Sequence, residues 1–171
     1  MWGKAMTHNT FMIDQIEVHS TGLFTTHHSF EAGEEKLGEL VCPAFGQQAT
    51  FQASDGRTLS IRKTSWLGSS HELVQSSSVR GTAHPRKAFS RDLLVQYEGT
   101  EYLLRPEGIL SRGWFLLDAG GTTLLEIQPR GVLRQGAFLY PRLVMDFDLV
   151  VFVYYLVFTR QQEEAAAAAA S

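Results

Sequence analysis

Between residues 50 and 140 the chain alternates apolar and polar side chains in short runs, and glycine-bearing turns separate the runs. TFQAS (50–54) and TLSIR (58–62) flank Asp55-Gly56-Arg57. LLVQY (93–97) and EYLLR (101–105) flank Glu98-Gly99-Thr100, and GWFLLD (113–118) and TLLEI (123–127) flank Ala119-Gly120-Gly121-Thr122. Each pair predicts a β-hairpin, because alternation suits a half-buried strand and glycine supplies the positive φ of a tight turn. VLR (132–134) and AFLY (137–140), parted by Gln135-Gly136, add two further strands, and Pro141 cannot continue a central one. A strand about every ten residues points to a sandwich or barrel rather than to βαβ units. FQASDGRTLSI (51–61) and FLLDAGGTTLLEI (115–127) echo one another, either as a structural pseudo-repeat or as two ordinary hairpins.

Outside these hairpins the pattern weakens. Residues 1–22 contain FMIDQIEV as their one candidate element. SSSVRGTAHPRKAFSR (76–91) is polar, contains Gly and Pro, and predicts a long loop. The closing EEAAAAAAS is low-complexity, either a frayed extension of a preceding helix or an appended tail.

One stretch departs from all of this. DFDLVVFVYYLVFTR (146–160) holds ten uninterrupted apolar residues, Leu149 to Phe158. As a helix, ten residues cover only about 15 Å, whereas a hydrocarbon core is about 30 Å thick. Asp146 and Asp148 would each cost roughly 2.5–3.5 kcal/mol near the bilayer centre, so a transmembrane segment is not expected. A buried strand suits the many valines and aromatics. A helix explains the flanks better, since Asp146 or Asp148 can cap its N-terminus, Arg160 suits its far end, and Gln161 to Ala170 favour helix. Such a helix is apolar on every side and must be enclosed on every side, which a closed barrel can do.

Composition narrows the class. The 171 residues are 44% hydrophobic and 19% charged, which fits one globular domain. A formal net charge of -3 argues against broad nucleic-acid binding. The single Cys42 cannot form an internal disulfide, and MWGKAMTHNT lacks an apolar core of signal-peptide length. A cytoplasmic location, with peripheral contact to a membrane, is the expectation.

The most basic part of the chain is the loop around residues 80–91. Arg80, Arg86, Lys87 and Arg91, with His84, form a candidate site for a phospholipid head group, because guanidinium groups bind phosphate bidentately. A solvated loop balanced by Asp92 and Glu98 is the plainer alternative. No cofactor motif is present. His27, His28 and His71-Glu72 lack zinc-ligand spacing, and adjacent histidines on a strand point to opposite faces. Cys42, in the apolar LVCPAF, is read as a packing residue, and no serine stands in a nucleophile-elbow context. Trp66, Trp114 and Tyr140 form either an aromatic surface or part of a β core.

FLLDAGGTTLLEI (115–127), AFLYP (137–141) and the terminal DFDLVVFVYYLVFTR together resemble the tubby C-terminal-like superfamily, nearer its LURP-one-related and scramblase-like branches. The resemblance spans residues 23–162 and leaves 1–22 and 163–171 outside it. It implies a closed antiparallel barrel of about twelve strands around a central hydrophobic C-terminal helix. Roles in that superfamily include phosphoinositide binding and lipid scrambling. The Lys/Arg set that serves tubby has no counterpart here, so no site residue is carried over, and one Cys without an EF-hand-like acidic loop gives no support for scrambling. The expected function is a non-enzymatic domain that binds an anionic phospholipid or a protein partner. The alternatives are a small hydrolase using Cys42 or a His, and a purely structural or assembly role.

Overall fold

The computed structural model describes residues 10–11, 13–22, 25–44, 48–64, 69–109, 111–130 and 135–171. Twelve strands run in chain order: β2 (Ile16–Thr21), β3 (Thr25–Ala32), β4 (Glu35–Pro43), β5 (Gln48–Ala53), β6 (Thr58–Lys63), β7 (His71–Gln75), β8 (Ser78–Pro85), β9 (Leu93–Tyr97), β10 (Thr100–Pro106), β11 (Trp114–Leu117), β12 (Thr123–Pro129) and β13 (Gly136–Pro141). Each pairs antiparallel with its neighbours in sequence, and β13 returns to β2 through Ala137↔Val18 and Leu139↔Ile16. The result is a closed up-and-down barrel with no free edge. A short β1 (Thr10–Phe11) pairs with β14 (Met145–Asp146), which leads into α1 (Phe147–Ala169).

The apolar run is the helix inside the barrel. Every residue from Phe147 to Val157 is buried. The strand alternative fails because the barrel closes without it, leaving no ladder partner inside. A helix satisfies its own backbone and needs none. Asp146 is the N-cap, its carboxylate accepting the Asp148 backbone N–H at 2.9 Å. About half of the helix fills the barrel, and residues from Gln162 onward are exposed beyond it.

The strands meet the helix with alternating inward side chains. Phe30 on β3 packs edge-on against Phe51, Phe147 and Tyr154, with centroids 5.6, 5.9 and 5.2 Å away. Where bulky rings crowd the interior, the wall is thinned. A Cβ on Gly38 would lie 2.3 Å from the Phe51 ring, and one on Gly81 would lie 3.3 Å from Phe152.

That thinning explains a wrong expectation. Residues 76–91 are not a long loop, since Ser78–Pro85 form strand β8. Its inward positions carry Gly81, where Phe152 needs the room, and the small Ala83, so the apolar alternation that betrays other strands is missing. The three hairpins and AFLY appear as β5–β6, β9–β10, β11–β12 and β13. VLR (132–134) lies outside the described residues. The barrel also takes in Ile16–Thr21, part of the weakly patterned 1–22 segment.

Candidate functional site at the mouth where the helix leaves the barrel

The two mouths of the barrel differ. At the mouth where α1 begins, tight turns surround a closed ionic cluster. Asp148, fully buried, accepts Arg57 Nη1 on both oxygens at 2.7 and 2.8 Å and Arg80 Nη1 at 2.5 Å. Arg80 also donates to Gln75 at 2.8 Å, to the Tyr97 hydroxyl at 2.6 Å and to Glu98. Tyr97 O–H donates to Asp146 at 2.6 Å, and burial together with that carboxylate holds its pKa well above the ordinary tyrosine range. Two guanidiniums thus face the negative charge that a helix N-terminus favours. This cluster plugs the barrel.

The opposite mouth is built of longer loops, and the remaining predicted site residues lie there. β8 carries the chain from one mouth to the other, so Arg80 and Arg86 stand roughly 20 Å apart along the strand. The structure therefore does not bring the five predicted residues together. Arg80 belongs to the plug, while His84, Arg86, Lys87 and Arg91 belong to the open mouth.

Within the loop joining β8 to β9, Arg86 N–H donates to Asp92 C=O at 3.0 Å and Ser90 N–H to Lys87 C=O at 3.1 Å, which holds it compact. Arg91 is committed. It donates to both Glu164 oxygens at 2.7 and 3.1 Å and lies over the Trp114 ring at 5.6 Å. Arg86 stands 3.9 Å from Asp92, a loose pair at half exposure. Lys87 is exposed and, among the described residues, meets no carboxylate. His84 is exposed, its Nδ1 near the Pro85 carbonyl oxygen at 3.2 Å.

Sequence reasoning missed the neighbours of these cations. Phe89 has a relative exposure of 107% and sits at a left-handed φ of 61°. Ile109, in the loop joining β10 to β11, is 94% exposed. Arg91 Nη1 donates to the Gly108 carbonyl at 3.4 Å and so ties the two loops together. A lone Phe inside a polar stretch and an Ile between turns carry no periodic signal. Only the barrel order brings their two loops to the same mouth.

The inner wall of this mouth carries further polar groups. His28 points inward and His27 outward, as alternation requires, and His27 meets Glu39 at 2.8 Å. His28 Nδ1 lies 2.7 Å from Ser20 Oγ and 2.8 Å from the Tyr154 hydroxyl, while its Nε2 is buried without a partner. Burial, then the nearby His27, pushes His28 down to about 4. Burial, then Lys63, does the same to His71. Cys42 packs against the core, and burial pushes its thiol up to about 12. Among the described residues Cys42 has no hydrogen-bonding base, so nothing there turns the thiol into a thiolate. A groove of about 660 Å³ runs beside the emerging helix, with Ser20, Tyr154, Phe158 and Arg112 in its lining.

Of the three tryptophan and tyrosine positions considered together, Trp114 is fully buried, Tyr140 lies half-buried on the outer side of β13 near Phe138, and Trp66 falls outside the described residues. They form no common surface. Among the described residues no three His, Cys, Asp or Glu side chains converge as metal ligands, and no helix is long and apolar enough to cross a membrane. Comparison with family models, with curated proteins and with solved structures returned no match to this chain.

Proposed function

We propose that this domain is a non-enzymatic module that docks peripherally on an anionic phospholipid surface through the mouth where the helix emerges. The single observation that carries this reading is the pair of fully exposed apolar side chains, Phe89 and Ile109, on tied loops beside the exposed cations Arg86 and Lys87. Water gains nothing from a fully exposed Phe89, whereas an apolar interface rewards its burial. Fully burying such a side chain is worth roughly 1.5–3 kcal/mol, and each cation near an anionic surface adds about 1 kcal/mol. Two of each give reversible attachment rather than permanent anchoring.

Charge distribution agrees with this orientation. The chain carries a net formal charge of -3, but the two glutamates of the emerging helix at this mouth are matched, and Glu107, in the loop joining β10 to β11, is the exposed carboxylate among the described residues there that meets Ser111 rather than a cation. Glu164 is held by Arg91, and Glu163 lies 3.7 Å from Lys63 and 3.5 Å from Arg160. Lys87 meets no carboxylate among the described residues, and Arg86 is engaged only in the loose 3.9 Å pair with Asp92. The resemblance to the tubby C-terminal-like superfamily, where lipid head groups are among the ligands, supports the same reading.

Co-sedimentation with vesicles of phosphatidylcholine alone or with about one-third phosphatidylserine tests it. Binding is expected only to the anionic vesicles, weakening with salt as surface charges are screened. Arg86→Ala/Lys87→Ala should remove the salt dependence and most binding, and Phe89→Ala/Ile109→Ala should weaken binding at every salt concentration. Binding unchanged in both double variants, or no binding by the unaltered protein, overturns the proposal. A protein partner at this mouth would show as unaltered protein that ignores vesicles yet loses its partner with the same variants.

A further inference from the structure

The loop joining β8 to β9 carries a hydroxyl that surface docking does not use. Ser90 directly follows the exposed Phe89 and stands three residues after Lys87 and four after Arg86. Its Oγ accepts the Asp92 backbone N–H at 3.1 Å, and its own proton meets no acceptor among the described residues. No other serine or threonine among the described residues has basic residues at both the third and the fourth position before it.

Such a hydroxyl suits a basophilic serine kinase. These kinases lay a short segment out in an extended form and read the cations on its N-terminal side with carboxylates of their own. The loop can be laid out in this way. Residues 86–89 are exposed, so none of their side chains anchors it in the core. Three hydrogen bonds keep it compact: Arg86 N–H to Asp92 C=O, Ser90 N–H to Lys87 C=O and Asp92 N–H to Ser90 Oγ. A surface segment closed by so few bonds opens far more readily than the barrel unfolds.

We propose that Ser90 is a phosphorylation site for a basophilic serine kinase, and that its phosphate releases the domain from an anionic membrane surface. The release rests on the docking reading above, whereas the modification stands without it. Ser90 Oγ attacks the γ-phosphorus of ATP. The new Oγ–P bond forms as the bond from that phosphorus to the β–γ bridging oxygen breaks, ADP leaves, and the hydroxyl proton passes to the kinase's catalytic aspartate. Phosphoserine carries a charge of about -1.5 to -2 at pH 7, which offsets the two positive charges of Arg86 and Lys87. It also stands one residue from Phe89, so inserting that ring would bring the phosphate against lipid head groups of its own sign.

The catalytic subunit of cyclic-AMP-dependent protein kinase, with ATP, is the probe. Mass spectrometry of tryptic peptides should place the phosphate on Ser90. Arg86→Ala/Lys87→Ala should slow its incorporation about tenfold or more, the range of one hydrogen bond to a charged group. On the anionic vesicles the phosphorylated protein should bind about 25-fold more weakly, since each of the two cations contributes about fivefold. Ser90→Ala, treated with the kinase in the same way, should stay bound as the untreated protein does. No phosphate on Ser90, phosphate only elsewhere (Ser65, for instance, follows Arg62 and Lys63), or a phosphorylated protein that binds as well as the untreated one overturns the proposal. Untreated protein that ignores anionic vesicles overturns the docking reading and the release with it, while incorporation at Ser90 is read separately.

Discussion

Asp148→Asn tests the ionic plug most directly. The substitution keeps the shape of the side chain and removes the charge shared by Arg57 and Arg80. The Asp148 side chain is 1% exposed and those of Arg57 and Arg80 are 27% and 19% exposed. Removing one member of a buried ion pair costs about 3–5 kcal/mol. Here the arginines reach some water and keep Asp55 and Glu98 as partners, so about 2–3 kcal/mol is the expected loss. For a chain of this size each kcal/mol moves the melting temperature by about 2–4 °C, which puts the shift at roughly 4–12 °C. Urea unfolding followed by circular dichroism measures the free energy, and Asp55→Asn serves as a control, because that side chain is 52% exposed and its loss should cost under about 1 kcal/mol. A double-mutant cycle with Arg57→Met should return a coupling of at least about 1 kcal/mol. Stability of Asp148→Asn within about 1 kcal/mol of the unaltered protein would refute the view that this cluster holds the helix in place.

Two further outcomes follow from the buried groups at the other mouth. His28 and His71 titrate near 4 in the fold against about 6.5 unfolded, so the unfolded chain binds more protons between those values. Stability is then complete above about pH 6.5 and falls as pH drops toward 4, by on the order of 3 kcal/mol per histidine. Urea midpoints between pH 7 and pH 5 should decline, and His71→Leu should flatten that slope. An unaltered slope would count against the assignment. Cys42, with its thiol pushed up to about 12, should react with a disulfide reagent at neutral pH at least about 100-fold more slowly in the fold than in urea. Comparable rates would mean that the thiol is not sequestered.

Legibility in the sequence followed the size of the inward side chains. β5–β6, β9–β10 and β11–β12 place Phe51, Leu59, Val95, Leu104, Leu116 or Leu125 against the helix, and a large apolar residue at every second position is visible without coordinates. β8 was hidden because its inward positions are the small Gly81, against Phe152, and Ala83. β3 was hidden because His28 occupies an inward position where alternation expects an aliphatic side chain. The candidate site was legible in part. The basic character of residues 84–91 is read directly, but strand β8 separates Arg80 from Arg86, and a residue string does not show which barrel mouth each will reach.

By itself the sequence determined the β-rich body, its hairpins and the need to enclose the apolar run Leu149 to Phe158, because side-chain period and run length are local properties and an all-apolar helix of that length has few places to go. The sequence left the cap open between Asp146 and Asp148, and the structure places it at Asp146, whose carboxylate accepts the Asp148 N–H. The tertiary structure alone decided which groups meet. Asp148 joins Arg57 and Arg80, residues 91 and 68 positions away, and Ser20 and His28 join Tyr154 at the groove. It also tied the loop that carries Phe89 to the loop that carries Ile109. Those partnerships come from barrel closure, which fixes the register of twelve strands around one helix, and closure depends on every strand at once.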